Sequence, residues 1–216
     1  MTPEFARAVD PVIAYVVGLL DRIRDDKPVD VEQQRAAIVS LLERGGAVVG
    51  EGRSWQLAKY ALVSWIDEML VETPWSDRDW WSNNVLEVEL FNTRLCFEQF
   101  FVWGREAAAL EHRDALEVYY VCVVLGFRGL YRNQKASEQL LRARGLPLTL
   151  EGWAKQTSLA IEVGQGRDAL PAPQREFAGA PPLRAATMLV WSCFWALSMV
   201  TVSLVVFVLL FGWSFP

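Results

Sequence analysis

Two adjacent carboxylates, Asp67 and Glu68, are the residues of this chain best placed to do chemistry. They close a strongly apolar run, residues 57–66, that only Lys59 and Ser64 interrupt. Acids at the edge of an apolar stripe can line a cleft, where they would serve acid–base chemistry or hold a cationic partner. Neighbouring residues on a helix point about 100° apart, so the two cannot share one proton as a facing dyad does. Positions 63, 64, 71 and 72 are Val, Ser, Val and Glu, which rules out a salt bridge along the same helix. The pair is therefore solvated, paired from another helix, or held ready for a partner. Five tryptophans, Trp55, Trp65, Trp75, Trp80 and Trp81, surround it in sequence. Two or three of them are expected in the core. Trp80 and Trp81 are consecutive and follow charged residues, so one of them is expected at a contact surface, where Trp is enriched. Asp67, Glu68, Trp75, Trp80 and Trp81 form the candidate partner-binding set.

Other chemistry is poorly represented. A Ser-His-Asp triad would depend on His112, the one histidine, which sits in the charged stretch EHRDALE and reads as a solvated helix-entry residue. Cys96, Cys122 and Cys193 lie far apart in apolar contexts and form no CxxC, so they read as small buried hydrophobes and no zinc site is expected. The chain has no phosphate-binding GxxxxGK[ST] loop, no GxGxxG, no HExxH and no GxSxG. No catalytic residue, metal or cofactor is expected. A formal net charge of -5 with no basic run argues against a nucleic-acid partner.

The elements that must position the acids read as all-α. Helical spacing of apolar residues marks 4–24, a second helix capped by Asp30 with Gln33 closing a capping box, and a third from Ser54 to about residue 72, ended by Pro74. The second is expected to stop at Gly45-Gly46 or at 50–52. Residues 75–81 read as a turn. Helix resumes over 84–110 with a break near 91–93. The run 113–125 is apolar enough for a strand, but its length and the lack of a second strand favour a buried helix. Gly126 and Gly129 follow it, either as a turn needing positive φ or as helix-packing glycines. Shorter helices are expected at 135–144 and 150–163, giving a cytoplasmic domain over 1–163. The Gly/Pro/Ala-rich segment 164–184 reads as a linker.

Residues 185–216 contain no Asp, Glu, Lys, Arg or His. The apolar run 187–211 is long enough to cross a hydrocarbon core of about 30 Å. A transmembrane helix is expected over 185–213 and a short periplasmic tail over 214–216. Arg167, Arg175 and Arg184 precede the span, which places the N-terminal side in the cytoplasm. No signal peptide is evident at the N-terminus. A tail-anchored inner-membrane protein is expected, with Trp191 and Trp213 at the two interfaces.

The run YALVSWIDEMLVETPW, residues 60–75, resembles the signature of the DotU/TssL family of bacterial secretion systems. So does LEVYYVCVVLGFRGLYR, residues 116–132, with Gly126, Phe127, Gly129, Tyr131 and Arg132 in the family's motif positions. Residues 89–101 match more weakly, with Phe97 before Glu98 where members commonly carry Gly. The resemblance implies an inner-membrane component of a type VI, or type IVB, secretion system. It implies two small helical bundles forming a hook with a cleft, near which Asp67 and Glu68 would lie. Implied partners are a TssM-like inner-membrane protein, TssK-like and other baseplate subunits, and indirectly a TssJ-like lipoprotein; a homodimer is left open. The function expected is structural, docking the baseplate to the membrane. The alternative is a tail-anchored enzyme or small-ligand receptor using an acidic cleft at Asp67 and Glu68.

Overall fold

The computed structural model describes residues 1–165 and 185–211; within the last helix the side chains described are those of residues 191, 194–203 and 205–207. The chain divides into two units that part near residue 168, taken here in turn. The expected linker over 164–184 and the tail over 214–216 lie outside the described residues, apart from residues 164 and 165, which complete a helix.

The first unit is all-helical among the described residues. Its elements are α1 (Pro3–Arg24), α2 (Val31–Val49), α3 (Arg53–Glu72), α4 (Arg78–Asn83), α5 (Leu86–Phe91), α6 (Cys96–Ala109) and α7 (Asp114–Val124). A 3-10 turn (Gly129–Asn133), α8 (Gln134–Ala143) and α9 (Leu150–Gln165) follow. α1 turns Val9, Val12, Val16 and Leu19 inward at helical spacing and packs along α2 as an antiparallel hairpin. Asp30 caps α2, accepting the Gln33 amide at 3.1 Å.

Gly45 and Gly46 do not end α2; the helix runs on to Gly50, whose φ of 83° stops it. The paired glycines are a packing notch. A Cβ on Gly45 would stand 2.4 Å from the Trp55 ring, so the bare backbone there lets that indole lie against α2. α3 begins at Arg53 with Gly52 at its N-cap, and Ser54 makes no cap bond.

α3 is the axis of the unit. It is buried nearly all round, from Trp55 through Tyr60, Leu62, Trp65 and Ile66 to Leu70. The α1–α2 hairpin packs on it, as do α4, α5, α6 and α7, with α9 against α6 and α7. Two small bundles are expected; the first unit is one compact body whose continuous core gathers on α3. The turn expected over 75–81 ends in helix α4, in which Trp81 is fully buried and Trp80 half-buried.

The apolar run after Arg113 forms helix α7, but it is not buried throughout. Val118, Tyr119 and Cys122 face the core, Val121 is half-buried, and Val124 is 66% exposed. A Schellman motif ends it. The Phe127 amide reaches the Cys122 carbonyl at 3.0 Å, and the Gly126 amide reaches Val123 at 3.1 Å. Gly126 takes φ 115° and Gly129 φ 49°, so both sit in turns that need positive φ.

The second unit contains α10 (Ala185–Phe211), 27 residues without a charge. At about 1.5 Å per residue it is about 40 Å long. Every described side chain on it is exposed, among them Phe194, Trp195, Leu197, Met199 and Val200. Counted over the described side chains alone, no helix is long and apolar enough to cross a membrane.

Candidate functional site

Asp67 and Glu68 diverge from α3 to fasten two different parts of the chain. Asp67 is 3% exposed. Its Oδ1 accepts the Trp81 indole N–H at 3.0 Å and the Leu86 amide at 2.9 Å, and its Oδ2 accepts the Glu87 amide at 2.9 Å. The carboxylate thus ties α4 to the first turn of α5 and holds both on α3. Burial pushes its pKa up to about 6, against the pull of the two amides and the indole; the Glu87 carboxylate adds to the rise.

Glu68 points about 100° away round α3. Its Oε1 accepts the Arg128 amide at 2.8 Å and its Oε2 the Gly129 amide at 2.9 Å, a cradle of two consecutive N–H groups. Arg132 completes the shell at 2.8 Å and also pairs with Glu72 at 2.8 Å. Of the three readings open from sequence, pairing from another element describes both acids. The cation is Arg132, 64 residues away.

The motif residues after α7 build the other half of this joint. Phe127 is buried and stacks on Phe100 with centroids 4.0 Å apart. Tyr131 packs edge-on to Phe101 and donates its hydroxyl to the Pro147 carbonyl at 2.7 Å. Gly129 has no room for a side chain: a Cβ would lie 2.7 Å from the Phe97 carbonyl oxygen.

The tryptophans divide by role. Trp81 is buried in the Asp67 shell, and half-buried Trp75 donates to the Leu70 carbonyl at 2.8 Å, sealing the end of α3. Trp80 belongs to neither. It is half-buried and packs in part against the core.

Sequence reasoning missed Glu87. It is 2% exposed and accepts the Tyr60 hydroxyl at 2.8 Å, the Thr93 hydroxyl at 2.6 Å, and the Leu95 and Cys96 amides at 2.9 and 3.1 Å. Burial and this acceptor hold the Tyr60 phenol far above its ordinary range. The only signal was an acid between two apolar neighbours, Leu86 and Val88, just ahead of a break. Arg53 and Glu106 were missed too. They form a two-pronged pair, 2.6 Å at each prong, with the guanidinium 5.0 Å from the Trp103 ring centre.

Asp67 is buried with its oxygens taken by the Trp81 indole and the Leu86 and Glu87 amides. Among the described residues there is no group of three or more His, Cys, Asp or Glu side chains suited to a metal. Cys122 is buried and Cys96 half-buried, while the side chain of Cys193 lies outside the described residues.

Residues 4–215 match the family described as type VI secretion system protein DotU. The chain belongs to the DotU family. The match runs through both units, the helical body and α10 alike. Among solved structures, the cytoplasmic domain of TssL from Acinetobacter baumannii shares the fold, with a TM-score of 0.57 and 24% identity over 73% of this chain and 98% of that one. No curated protein matches the chain. DotU proteins are inner-membrane-associated components of type VI secretion systems, and their role there is structural.

Proposed function

We propose that this DotU-family chain is a subunit of a type VI secretion membrane complex, held in the inner membrane by α10, whose helical body docks cytoplasmic baseplate proteins. The observation that carries this is the family match running from the body into a charge-free helix. A helix apolar on every face, with its described side chains exposed, is suited to lipid. Its length of about 40 Å exceeds the ~30 Å hydrocarbon core and so allows some tilt. Arg184 at its start, with Arg175 and Arg167 upstream, favours a cytoplasmic body. The neighbours this reading assigns are a TssM-like membrane protein and TssK-like baseplate subunits, with a TssJ-like lipoprotein reached through the former.

Within this reading Asp67, Glu68 and Trp81 act as internal posts, and Gly126, Phe127, Gly129, Tyr131 and Arg132 as the joint they brace. Trp80 and the surfaces beside the posts are left for partners. The body would act as a hook because α4–α5 and the segment after α7 are fastened to α3 at neighbouring residues that point about 100° apart.

The test is affinity purification of the tagged chain from membranes of a secreting strain. Co-purification of a large inner-membrane subunit and a baseplate subunit, with loss of secretion on deletion, is the expected result. Recovery from the soluble fraction without either partner, with secretion intact, would refute the assignment.

A further inference from the structure

A groove between α2 and α4 is built from parts that select one kind of partner. It is lined by exposed Ala36, half-buried Val39 and Trp80, the polar Ser40 and Asn84, and three acids, Glu32, Glu43 and Glu89. Glu32, Ala36, Val39 and Glu43 share one face of α2 at helical spacing. The one cation lining the groove, Arg35, is already occupied. It pairs with Glu89 and donates its Nε to the Asn84 carbonyl at 3.0 Å. Among the described residues neither Glu32 nor Glu43 meets a cation, and the Trp80 indole N–H has no acceptor. Trp81, one residue on, does the structural work of the Asp67 post. That leaves Trp80 lining the groove, partly packed against the core, with no hydrogen bond from its indole among the described residues.

We infer that this groove receives a basic segment of a protein partner, one Arg or Lys of which lies against Trp80 while others meet Glu32 and Glu43, which stand about 16 Å apart along α2. A cation over an indole is attracted by the ring quadrupole, and the two unpaired carboxylates on α2 each offer a separate contact to a further cation of the same segment. The same charges repel nucleic acid and anionic lipid surfaces, so a protein is the favoured occupant. This rests on the docking role proposed above and adds the chemistry of what is docked.

The test uses the full chain in nanodiscs of zwitterionic lipid, with empty nanodiscs as blank and a short fluorescent peptide of Arg-Gly-Ser repeats as probe. Paired Glu32→Gln and Glu43→Gln substitutions are expected to weaken peptide binding about tenfold, and Trp80→Ala to do the same. Glu151→Gln, an exposed acid on α9, should leave binding unchanged. Circular dichroism of each variant separates binding loss from unfolding, and the exposed glutamates give a result even if Trp80→Ala fails to fold. Equal binding of a Glu-Gly-Ser peptide, or groove variants that bind like the parent, would overturn the inference. Secretion separates the two levels. Groove variants that lose the peptide yet secrete normally would remove the groove from docking, while loss of secretion on deleting the chain would still support the membrane-complex role.

Discussion

The indole N–H of Trp81 donates to the Asp67 carboxylate at 3.0 Å, with both side chains out of contact with water. This bond, with the Leu86 and Glu87 amides, makes Asp67 the post on which α4 and α5 hang. Asp67→Lys would put a cation among three N–H donors in a dry site, a cost of about 4 kcal/mol or more. The variant is expected to be insoluble or to melt far below the parent. Trp81→Phe removes one donor and should cost about 1–3 kcal/mol. Glu68→Lys, facing Arg128 and Arg132, should fall between these. Thermal melts of the three variants check the order. An Asp67→Lys protein that melts like the parent would show that the post is dispensable.

The raised pKa of Asp67 has a defined pH signature. The folded-state value, about 6, lies above the ordinary 3.8, so the folded state binds the extra proton between those values. Its stabilising effect is fully present below about pH 4 and is lost as pH rises through about 6. The size is about 3 kcal/mol, since each pKa unit is worth about 1.4 kcal/mol. Other carboxylates work in the opposite direction: Glu106 is held below its usual range by its hydrogen bonds from Arg53. The comparison is therefore of the parent with Asp67→Asn. The stability difference between them, from denaturant melts, should shift in favour of the Asn variant as pH rises from 4 to 7. A difference that stays flat across that window would contradict the burial of an ionisable Asp67.

Gly126 and Gly129 should both resist substitution, for different reasons. At Gly126 the obstacle is the backbone: φ of 115° lies outside the left-handed well that Asn tolerates, while the nearest atom, the Met69 sulphur, can move. At Gly129 the φ of 49° suits Asn, but a Cβ meets the Phe97 carbonyl. Ala at either site is expected to cost about 1–3 kcal/mol. Asn at 129 should be no better than Ala, because the clash is steric. A melt in which Gly129→Asn recovers parent stability would make φ, not space, the constraint there.

Along α7 the cost of a charge should follow the face. Val118→Asp puts an unpaired carboxylate in the core and is expected to cost several kcal/mol. Val121→Asp, half-buried, should cost less, and Val124→Asp, at 66% exposure, should be within about half a kcal/mol of the parent. A single set of denaturation curves ranks them. Equal damage at 118 and 124 would mean that the exposed end of α7 is covered in solution.

What the sequence revealed and what it hid follow from the range of the interactions. Asp30 as the cap of α2, the positive-φ turn at Gly126 (one of two readings left open) and a helix break, expected near 91–93 and found between Phe91 and Cys96, are local devices whose signals lie within a few residues. Gly45-Gly46 misleads because a glycine pair signals a helix stop, while here the Trp55 ring ten residues on needs the space. Asp67 and Glu68 stand out as acids without helical partners, but their donors lie 14 to 20 and 60 to 64 residues away. Periodicity carries no record of such pairings. Glu87 was hidden for the same reason, since Tyr60 lies 27 residues away.

The membrane role of α10 is the most direct to test. Its described middle, residues 194–203, is apolar apart from Ser198, Thr201 and Ser203, and the Thr201 hydroxyl is turned back onto the Leu197 and Ser198 carbonyls. Met199 and Val202 lie near the centre and are 78% and 60% exposed. An Arg at the centre of a spanning helix costs about 2.5–3.5 kcal/mol for insertion, so Met199→Arg with Val202→Arg should expel the helix from the bilayer. The doubly substituted chain is expected in the carbonate-soluble fraction while the parent stays in the pellet. Leucine at both positions is the control and should leave the chain in the pellet. The helical body should fold in either case, because every core residue described lies in the first unit. If the double-arginine chain remains as firmly membrane-bound as the parent, the body is held at the membrane by other contacts, and α10 is not the anchor.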